Sequence, residues 1–156
     1  RASQEGEKDL MPKRALLDSD IFISYLFHED ELYKQSRKLV GSIARGELIA
    51  YVSSELYDDI ISALRGNGLS LSDVINVLSD VSEIPHKALP VDPEIVLQAL
   101  ELYRRYGGSR KLHYFDSFHV ATSRSYDLPL ITSDKYIINN SESLKINVID
   151  LRKMEL

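Results

Sequence analysis

Residues 14–27, RALLDSDIFISYLF, decide the fold class, because a short apolar strand runs into a helix across an acidic turn. Ala15, Leu16 and Leu17 form the apolar run of a short buried strand, which stops at Asp18. The residues from Ile21 to Phe27 continue in a pattern that predicts a helix. A strand followed directly by a helix is the building unit of a parallel sheet.

The same alternation continues along the chain. Gly46 is predicted to end the second helix, Ser53 and Ser54 to cap the third, and Pro93 to begin the longest. Further strands are predicted at 48–52, 129–132 and 147–151, with at most a short strand in the proline-containing connector 84–91. Further helices are predicted at 31–45, 55–65, 70–81, 93–106 and 114–126. This order predicts an α/β fold with a mainly parallel central sheet flanked by helices.

Length and composition limit the class of protein. A chain of 156 residues with 44% hydrophobic residues is sufficient for one core. Residues 1–10 lack any apolar period, so we expect them to be a vector-derived or disordered tail ahead of a single domain, 11–156. No apolar run approaches the ~20 residues of a membrane helix, so we expect a cytoplasmic protein with no membrane partner. With no cysteine, a metal would need oxygen or imidazole ligands.

Carboxylates occupy the places where a parallel sheet collects ligands. The apolar run at 16–17 leads into Asp18, and LPLIT leads into Ser133 and Asp134. Asp59 and Asp116 lie near predicted helix starts. Each acid alone is explained by helix capping or a turn, but four converging carboxylates would repel one another unless divalent cations neutralised them. The set therefore predicts a site for Mg²⁺ or Mn²⁺.

The helix that follows Ser54 offers three acids. At about 100° per residue, Asp59 lies nearest the edge of the apolar face and is the preferred ligand. Asp58 points further toward solvent. Glu55 lies one turn before Asp59 and is a supporting candidate near the same site.

Four segments in this order resemble the PIN-domain ribonucleases, including the VapC-type toxins of prokaryotic toxin and antitoxin pairs. The segments are LLDSDIFISYL, YVSSELYDDIISAL, FDSFHVATS and LITSDKYI, and the resemblance extends from Arg14 to Leu151. It implies a PIN-like three-layer fold.

The resemblance also implies catalytic, metal-binding roles for Asp18, Asp59, Asp116 and Asp134. Two positions depart from the family pattern: Asp59 stands where the family usually has Glu, and Asp20 where it often has Asn. A shorter Asp59 is compatible with ligation through water, and Asp20 would support the ligands from outside. Ser133 matches a family position with a small hydroxyl residue, which implies that it orients Asp134 or a water.

The activity implied is metal-dependent hydrolysis of RNA phosphodiester bonds, with an antitoxin protein as a partner. His119 falls one helical turn after Asp116, and we expect a supporting or substrate-contacting role rather than that of a general base. Four cations surround the predicted Gly107-Gly108 turn and are RNA-binding candidates: Arg104, Arg105, Arg110 and Lys111. They are equally explained as a solvated helix end whose charges complement the helix dipole.

Two other functions remain open at this point. Asp18-Ser19-Asp20 after a strand also resembles the nucleophile motif of haloacid-dehalogenase-type phosphatases, in which Asp18 would be phosphorylated. A noncatalytic PIN module that binds RNA or a protein partner would keep the fold without the activity.

The predicted helices at 32–45 and 93–106 and the helical pair at 55–81 offer more apolar surface than one small sheet covers. We therefore expect a homodimer. Sedimentation at micromolar concentration measures this: a single species of 17.7 kDa would contradict the dimer. A shift only after addition of a partner peptide would instead favour an antitoxin groove.

Overall fold

The computed structural model of the chain describes residues 11–156. The predicted tail, residues 1–10, lies outside the described residues. The nature of that tail and the boundaries of the domain therefore stay predictions.

Strands and helices alternate through the described residues. Their bounds are β1 Arg14–Leu17, α1 Ser19–Leu26, α2 Tyr33–Ala44, β2 Ile49–Ser53, α3 Leu56–Gly66, α4 Leu71–Ser82, β3 Lys87–Leu89, α5 Pro93–Tyr106, α6 Tyr114–Tyr126, β4 Leu130–Thr132, α7 Lys135–Asn139, α8 Ser141–Leu144, β5 Val148–Asp150 and a 3₁₀ turn at Leu151–Lys153. The predicted bounds of α5 and α6 are confirmed, and most of the other predicted elements begin and end within two residues of the observed ones.

The five strands form one sheet in the order β3-β2-β1-β4-β5, and every neighbouring pair is parallel. In the centre, Leu16 of β1 lies opposite Tyr51 of β2 and Leu130 of β4. The two strands that lead into Asp18 and Asp134 are therefore neighbours, with their carboxyl ends at the same edge.

Helices cover both faces of this sheet. Ala15 and Leu17 of β1 point into one core, which contains residues of α1 to α4, and Leu16 points into a second core with residues of α5 to α8. This alternation is the period of two expected of a strand whose two faces are both buried. The predicted α/β fold with three layers is confirmed.

Local capping explains several helix ends. Ser70 Oγ accepts a hydrogen bond from the Asp73 amide at 3.1 Å, and the Asp92 carboxylate accepts one from the Ile95 amide at 2.9 Å. Gly46 has a φ of 77°, which glycine adopts at little cost at the end of a helix.

Two local expectations were wrong or incomplete. Neither Ser53 nor Ser54 caps α3, which begins after Glu55 without a side-chain cap. Ser54 Oγ instead accepts a hydrogen bond from the Val91 amide at 3.0 Å and ties the end of β2 to the connector beyond β3. The sequence pattern does not predict the short helices α7 and α8. α7 has five residues and α8 has four, and each contains a single buried residue, Ile137 and Leu144 respectively. One apolar residue per helix gives no helical period that the sequence could show.

No α-helix formed by residues 11–156 combines the length and the apolar character that crossing a bilayer requires.

The turn between α5 and α6 depends on close packing at Gly107. A Cβ atom at this position would overlap the carbonyl oxygen of Tyr103 and lie 2.5 Å from the ring atom Cδ1 of Tyr103. The same ring packs edge-on against Tyr114, at the start of α6, with ring centroids 5.5 Å apart. Gly107 thus helps to place the start of the helix that carries Asp116.

We expect Gly107→Ala to lower the free energy of unfolding by about 1–3 kcal/mol, because the added methyl group overpacks this turn. Gly66→Ala is the matched control, since nothing lies within 4 Å of a Cβ at that position and alanine favours a helix by up to about 1 kcal/mol. Urea denaturation of both variants measures the difference. A Gly107→Ala variant as stable as the parent would show that the turn relaxes without cost.

Candidate metal centre

Asp18 begins the site because β1 ends in the centre of the sheet. Its Oδ1 accepts a hydrogen bond from the Ser19 amide at 2.7 Å and thereby caps α1. Its Oδ2 accepts one from Thr132 Oγ1, at the end of β4, at 2.6 Å. The side chain is only 3% exposed, so the carboxylate is fixed in a buried position.

Asp20 fixes the end of β4 from the first turn of α1. Its Oδ2 accepts hydrogen bonds from the Ser133 amide, at 2.8 Å, and from Ser133 Oγ. The other carboxylate oxygen, Oδ1, is buried and has no hydrogen-bond partner among the described residues. Asp20 and Ser133 thus hold together the two acidic turns.

Asp134 follows these contacts directly and caps α7. Its amide donates to Thr132 Oγ1 at 3.0 Å, and its Oδ1 accepts from the Ile137 amide at 3.0 Å. Thr132 Oγ1 therefore donates to Asp18 and accepts from the backbone of Asp134. One buried hydroxyl sets the relative position of the two strand-end acids.

Asp59 enters the site from α3 and is held by His119 of α6. His119 Nε2 lies 2.8 Å from Asp59 Oδ2 and 4.0 Å from Asp18 Oδ1, and the imidazole is fully buried. Burial lowers the pKa of His119, but the hydrogen bond to Asp59 and the charge of Asp18 outweigh it, so the pKa lies above the ordinary 6.5. His119 is buried behind Asp59, and its hydrogen bond orients the Asp59 carboxylate toward the cleft.

Asp116, in the first turn of α6, completes the group. Together with Asp18, Asp20, Asp59, Ser133 and Asp134, it lines a cleft of about 350 Å³. His113 lines the same cleft, and its Nδ1 lies 3.4 Å from Asp116 Oδ2.

Burial and the charges of neighbouring carboxylates raise the pKa values of Asp116, Asp20 and Asp18. Burial, together with the charges of Asp18, Asp134 and Asp59, raises the pKa of Asp116 to about 10. Burial and the charge of Asp18 raise the pKa of Asp20 to about 8. Burial also raises the pKa of Asp18, although His119 and the hydrogen bond from Thr132 act in the opposite direction. The protein alone therefore does not compensate the negative charge of the cleft.

The donor atoms fit a divalent cation. Asp18, Asp59, Asp116 and His119 each offer one ligand atom, and these atoms lie within 4.8 Å of one another. Mg²⁺ and Mn²⁺ prefer carboxylate oxygens, and a cation in the cleft would remove the repulsion that raises the pKa values.

Six of the sequence candidates do not line this cleft: His119, which is buried behind Asp59, and the five residues that follow. Glu55 is half-buried at the start of α3, where its amide donates to Ser53 Oγ. Arg104 is exposed and pairs with Glu101 at 2.6 Å, whereas Arg105 lines a separate cleft of about 370 Å³ between α5, α6 and α8. Arg110 and Lys111 are exposed in the turn that leads to His113.

Three residues at the site were missed by sequence reasoning. Thr132 sits inside an apolar strand, and His113 precedes its helix, so neither has a local pattern that indicates a site. Arg152 lies beyond the last strand, and its Nη1 donates to the carbonyl oxygen of Ser133 at 2.8 Å. Only the tertiary fold brings these residues to the acids.

Comparison with known proteins identifies the family. The family model described as "PIN domain" matches residues 15–142. The chain therefore belongs to the PIN-domain family. A search of curated protein sequences gives no match.

Solved structures share the fold at low sequence identity. The VapBC2 structure from Rickettsia felis, described as bound to a promoter DNA fragment, is 10% identical with a TM-score of 0.60, covering 88% of this chain and 97% of its own. VapC20 from Mycobacterium tuberculosis, described as a sarcin-ricin-loop-cleaving toxin, is 12% identical with a TM-score of 0.59, covering 74% and 86%. VapBC-1 from nontypeable Haemophilus influenzae is 15% identical with a TM-score of 0.60, covering 90% and 99%.

The raised pKa values predict how the metal-free protein responds to pH. The folded state keeps a proton on Asp116 up to about pH 10, whereas the unfolded chain releases it near pH 3.8, so the folded state binds more protons between these values. The free energy of unfolding should therefore fall as pH rises through this window. We expect Asp116→Asn to reduce that fall and to stabilise the metal-free protein at neutral pH.

Unfolding by urea at about pH 6 and about pH 9, with a chelator present, measures this pH dependence. Asp58→Asn is the control, because Asp58 is exposed on α3 and does not line the cleft. An unchanged pH dependence in Asp116→Asn would show that Asp116 is not the group responsible.

Proposed function

We propose that this protein is an Mg²⁺- or Mn²⁺-dependent endoribonuclease that hydrolyses RNA phosphodiester bonds in the cytoplasm as the toxin of a toxin-antitoxin pair. One observation carries the proposal. Asp18, Asp59, Asp116 and Asp134 come from four separate elements of a PIN fold and line one cleft. A structural role alone does not explain the group, since burial and like charge destabilise it.

The catalytic roles follow from the hydrogen bonds. Asp18, Asp59, Asp116 and Asp134 would hold the cations, with Asp18 fixed by Thr132 and Asp59 by His119. Asp20 and Ser133 would support them by fixing the turn before Asp134. A bound divalent cation supplies a more acidic water and neutralises charge that develops on the phosphoryl oxygens.

RNA would approach the open side of the cleft. Arg110 and Lys111 are exposed just before α6, and we propose them as contacts to backbone phosphates. Arg105 is the next candidate, whereas Arg104 would first have to leave Glu101. Arg152 extends this set, because it contacts the backbone of Ser133 beside Asp134.

The antitoxin partner is proposed from the structural relatives. One from Klebsiella pneumoniae is described as a toxin-antitoxin complex, and VapBC-5 from Mycobacterium tuberculosis is described as a member of a family of toxin-antitoxin systems. Exposed apolar side chains support association with protein surfaces. They include Leu71 and Ile75 on α4, each 60% exposed, and Leu97 on α5, 69% exposed. A homodimer would use such a surface as well.

The phosphatase alternative finds no support. Both oxygens of Asp18 accept hydrogen bonds, and Asp58 and Asp59 lie on α3 rather than at a strand end. The experiment must also distinguish a nuclease from a noncatalytic PIN module that binds RNA or a protein partner.

Cleavage of single-stranded RNA with Mg²⁺ or Mn²⁺ tests the proposal. We expect Asp18→Asn, Asp116→Asn and Asp134→Asn to lower the rate by more than the roughly 10–100-fold typical of losing an outer-shell partner of a metal. Asp59→Asn should have a similar effect, and Asp58→Asn, its neighbour on α3, should cleave like the parent.

A preparation purified in parallel from cells that lack the protein is the control for contaminating nuclease. Asn variants that cleave at the parental rate would refute the site. A loss of cleavage activity in Glu55→Gln but not in Asp59→Asn would show that Glu55, and not Asp59, is the metal ligand. RNA binding without cleavage by the parent, with either ion, would establish the noncatalytic module.

A further inference from the structure

The cleft of about 370 Å³ between α5, α6 and α8 is separate from the acidic cleft, with which it shares no lining residue. Helix α6 connects the two clefts, because Asp116 lies in its first turn and Arg124 in its last. At about 1.5 Å per residue, these two positions are about 12 Å apart along the helix. A cleft of this size suits a small organic ligand.

Positive charge exceeds negative charge in this second cleft, which we call the basic cleft. Three cations line it: Arg105, Arg124 and Lys145. Among the described residues, Glu101 is the one carboxylate that lines it, and its Oε2 already lies 2.6 Å from Nη2 of Arg104. A protein with a formal net charge of −5 therefore has a local excess of positive charge here, which attracts anions.

Arg124 is only partly satisfied by the protein. Its Nη2 donates to the carbonyl oxygen of Leu144, at the end of α8, at 2.7 Å. Its Nε is buried and has no hydrogen-bond partner among residues 11–156. No carboxylate within the same range forms an ion pair with Arg124, although Asp127 and Glu142 line a neighbouring cleft with it. Because an uncompensated charge is costly to bury, an anion in the basic cleft would stabilise this side chain.

The remaining lining of the basic cleft combines a second cation with apolar surface. Lys145 ends α8 in the left-handed conformation, with a φ of 58°, and is exposed. Leu97, Leu102 and Tyr106 form apolar and aromatic parts of the lining, and Leu97 is 69% exposed. Cations beside an apolar wall suit a ligand that joins an anionic group to a ring.

We propose that the basic cleft binds a small organic phosphate of the nucleoside monophosphate type, with its phosphate at Arg124 and Lys145 and its ring against the apolar wall. A phosphate monoester carries close to two negative charges at neutral pH, which suits more than one cation. Guanidinium groups also match the geometry of phosphate oxygens. This site goes beyond the proposed ribonuclease function, because it lies apart from the carboxylates and needs no divalent cation.

Calorimetry on the full chain at neutral pH tests the inference, with 5′-AMP, inorganic phosphate and adenosine as the probes. A chelator is present, so that no metal ion in the acidic cleft can hold a phosphate there. We expect one AMP to bind per chain, phosphate to bind more weakly and adenosine to give no signal. The affinity for AMP should fall as the salt concentration rises.

Substitutions in the basic cleft should change the affinity in opposite directions according to charge. We expect Arg124→Gln to weaken AMP binding by at least about tenfold, because it removes a charged donor. Lys145→Asn should weaken it by about twofold to fivefold, and Glu101→Gln should strengthen it by about the same factor. Asparagine tolerates the left-handed backbone at position 145, so this variant tests the charge even if Arg124→Gln does not fold.

Arg65→Gln is the matched control. Arg65 also donates to a backbone carbonyl oxygen, that of Leu69 at 3.1 Å, but it lies on α3 and does not line the basic cleft. This variant should bind AMP like the parent. Circular dichroism shows whether each variant is folded.

A parent chain that binds no AMP at millimolar concentration would overturn the inference, as would parental affinity in both Arg124→Gln and Lys145→Asn. Equal affinity for adenosine and AMP would show that the phosphate is not what the cleft recognises. Single-stranded RNA that binds through Arg124 when AMP does not would also overturn the small ligand and assign the cleft to an RNA backbone.

Discussion

Electrostatic repulsion among buried carboxylates is the constraint on which the rest of the structure depends. Asp18 is 3% exposed and Asp116 is 8% exposed. Among the described residues, the ion-pair partners of these two carboxylates are histidines: His119 for Asp18 and His113 for Asp116. The free energy that this arrangement costs must come from elsewhere in the fold. Its source is the two apolar cores on either side of the sheet, which hold β1, α3 and α6 in place whether or not the acids repel.

Short polar contacts then keep the acids from separating. Thr132 couples Asp18 to the backbone of Asp134, and Ser133 is bound by Asp20. These bonds join β1 to β4 at the edge where their parallel pairing ends. Removing the charge of one acid is therefore different from removing its hydrogen bonds, since the first relieves repulsion and the second releases a turn.

The sequence predicts the parts of the site that obey a local period. Asp18 and Asp134 end apolar strands, and Asp59 lies at the edge of an apolar helix face, so each can be placed by counting residues. Thr132 cannot, because it belongs to an ordinary strand pattern. The partner of Ser54 is also hidden, since Val91 lies 37 residues away and the bond forms only when β2 and β3 pair. His113 can likewise be assigned to the site only from the structure, in which its Nδ1 lies 3.4 Å from Asp116 Oδ2.

The charge balance of the chain bears on how the proposed RNA substrate would reach the site. The protein has a formal net charge of −5, and RNA is a polyanion, so long-range attraction does not bring the two together. A cation held by the acids would offset part of the charge of both the cleft and the phosphate that enters it. Asp20 adds a further acid, and its pKa of about 8 means that it can remain protonated at neutral pH when no cation is present. In the proposed enzyme, metal binding, folding stability and substrate recognition would all depend on the same few carboxylates.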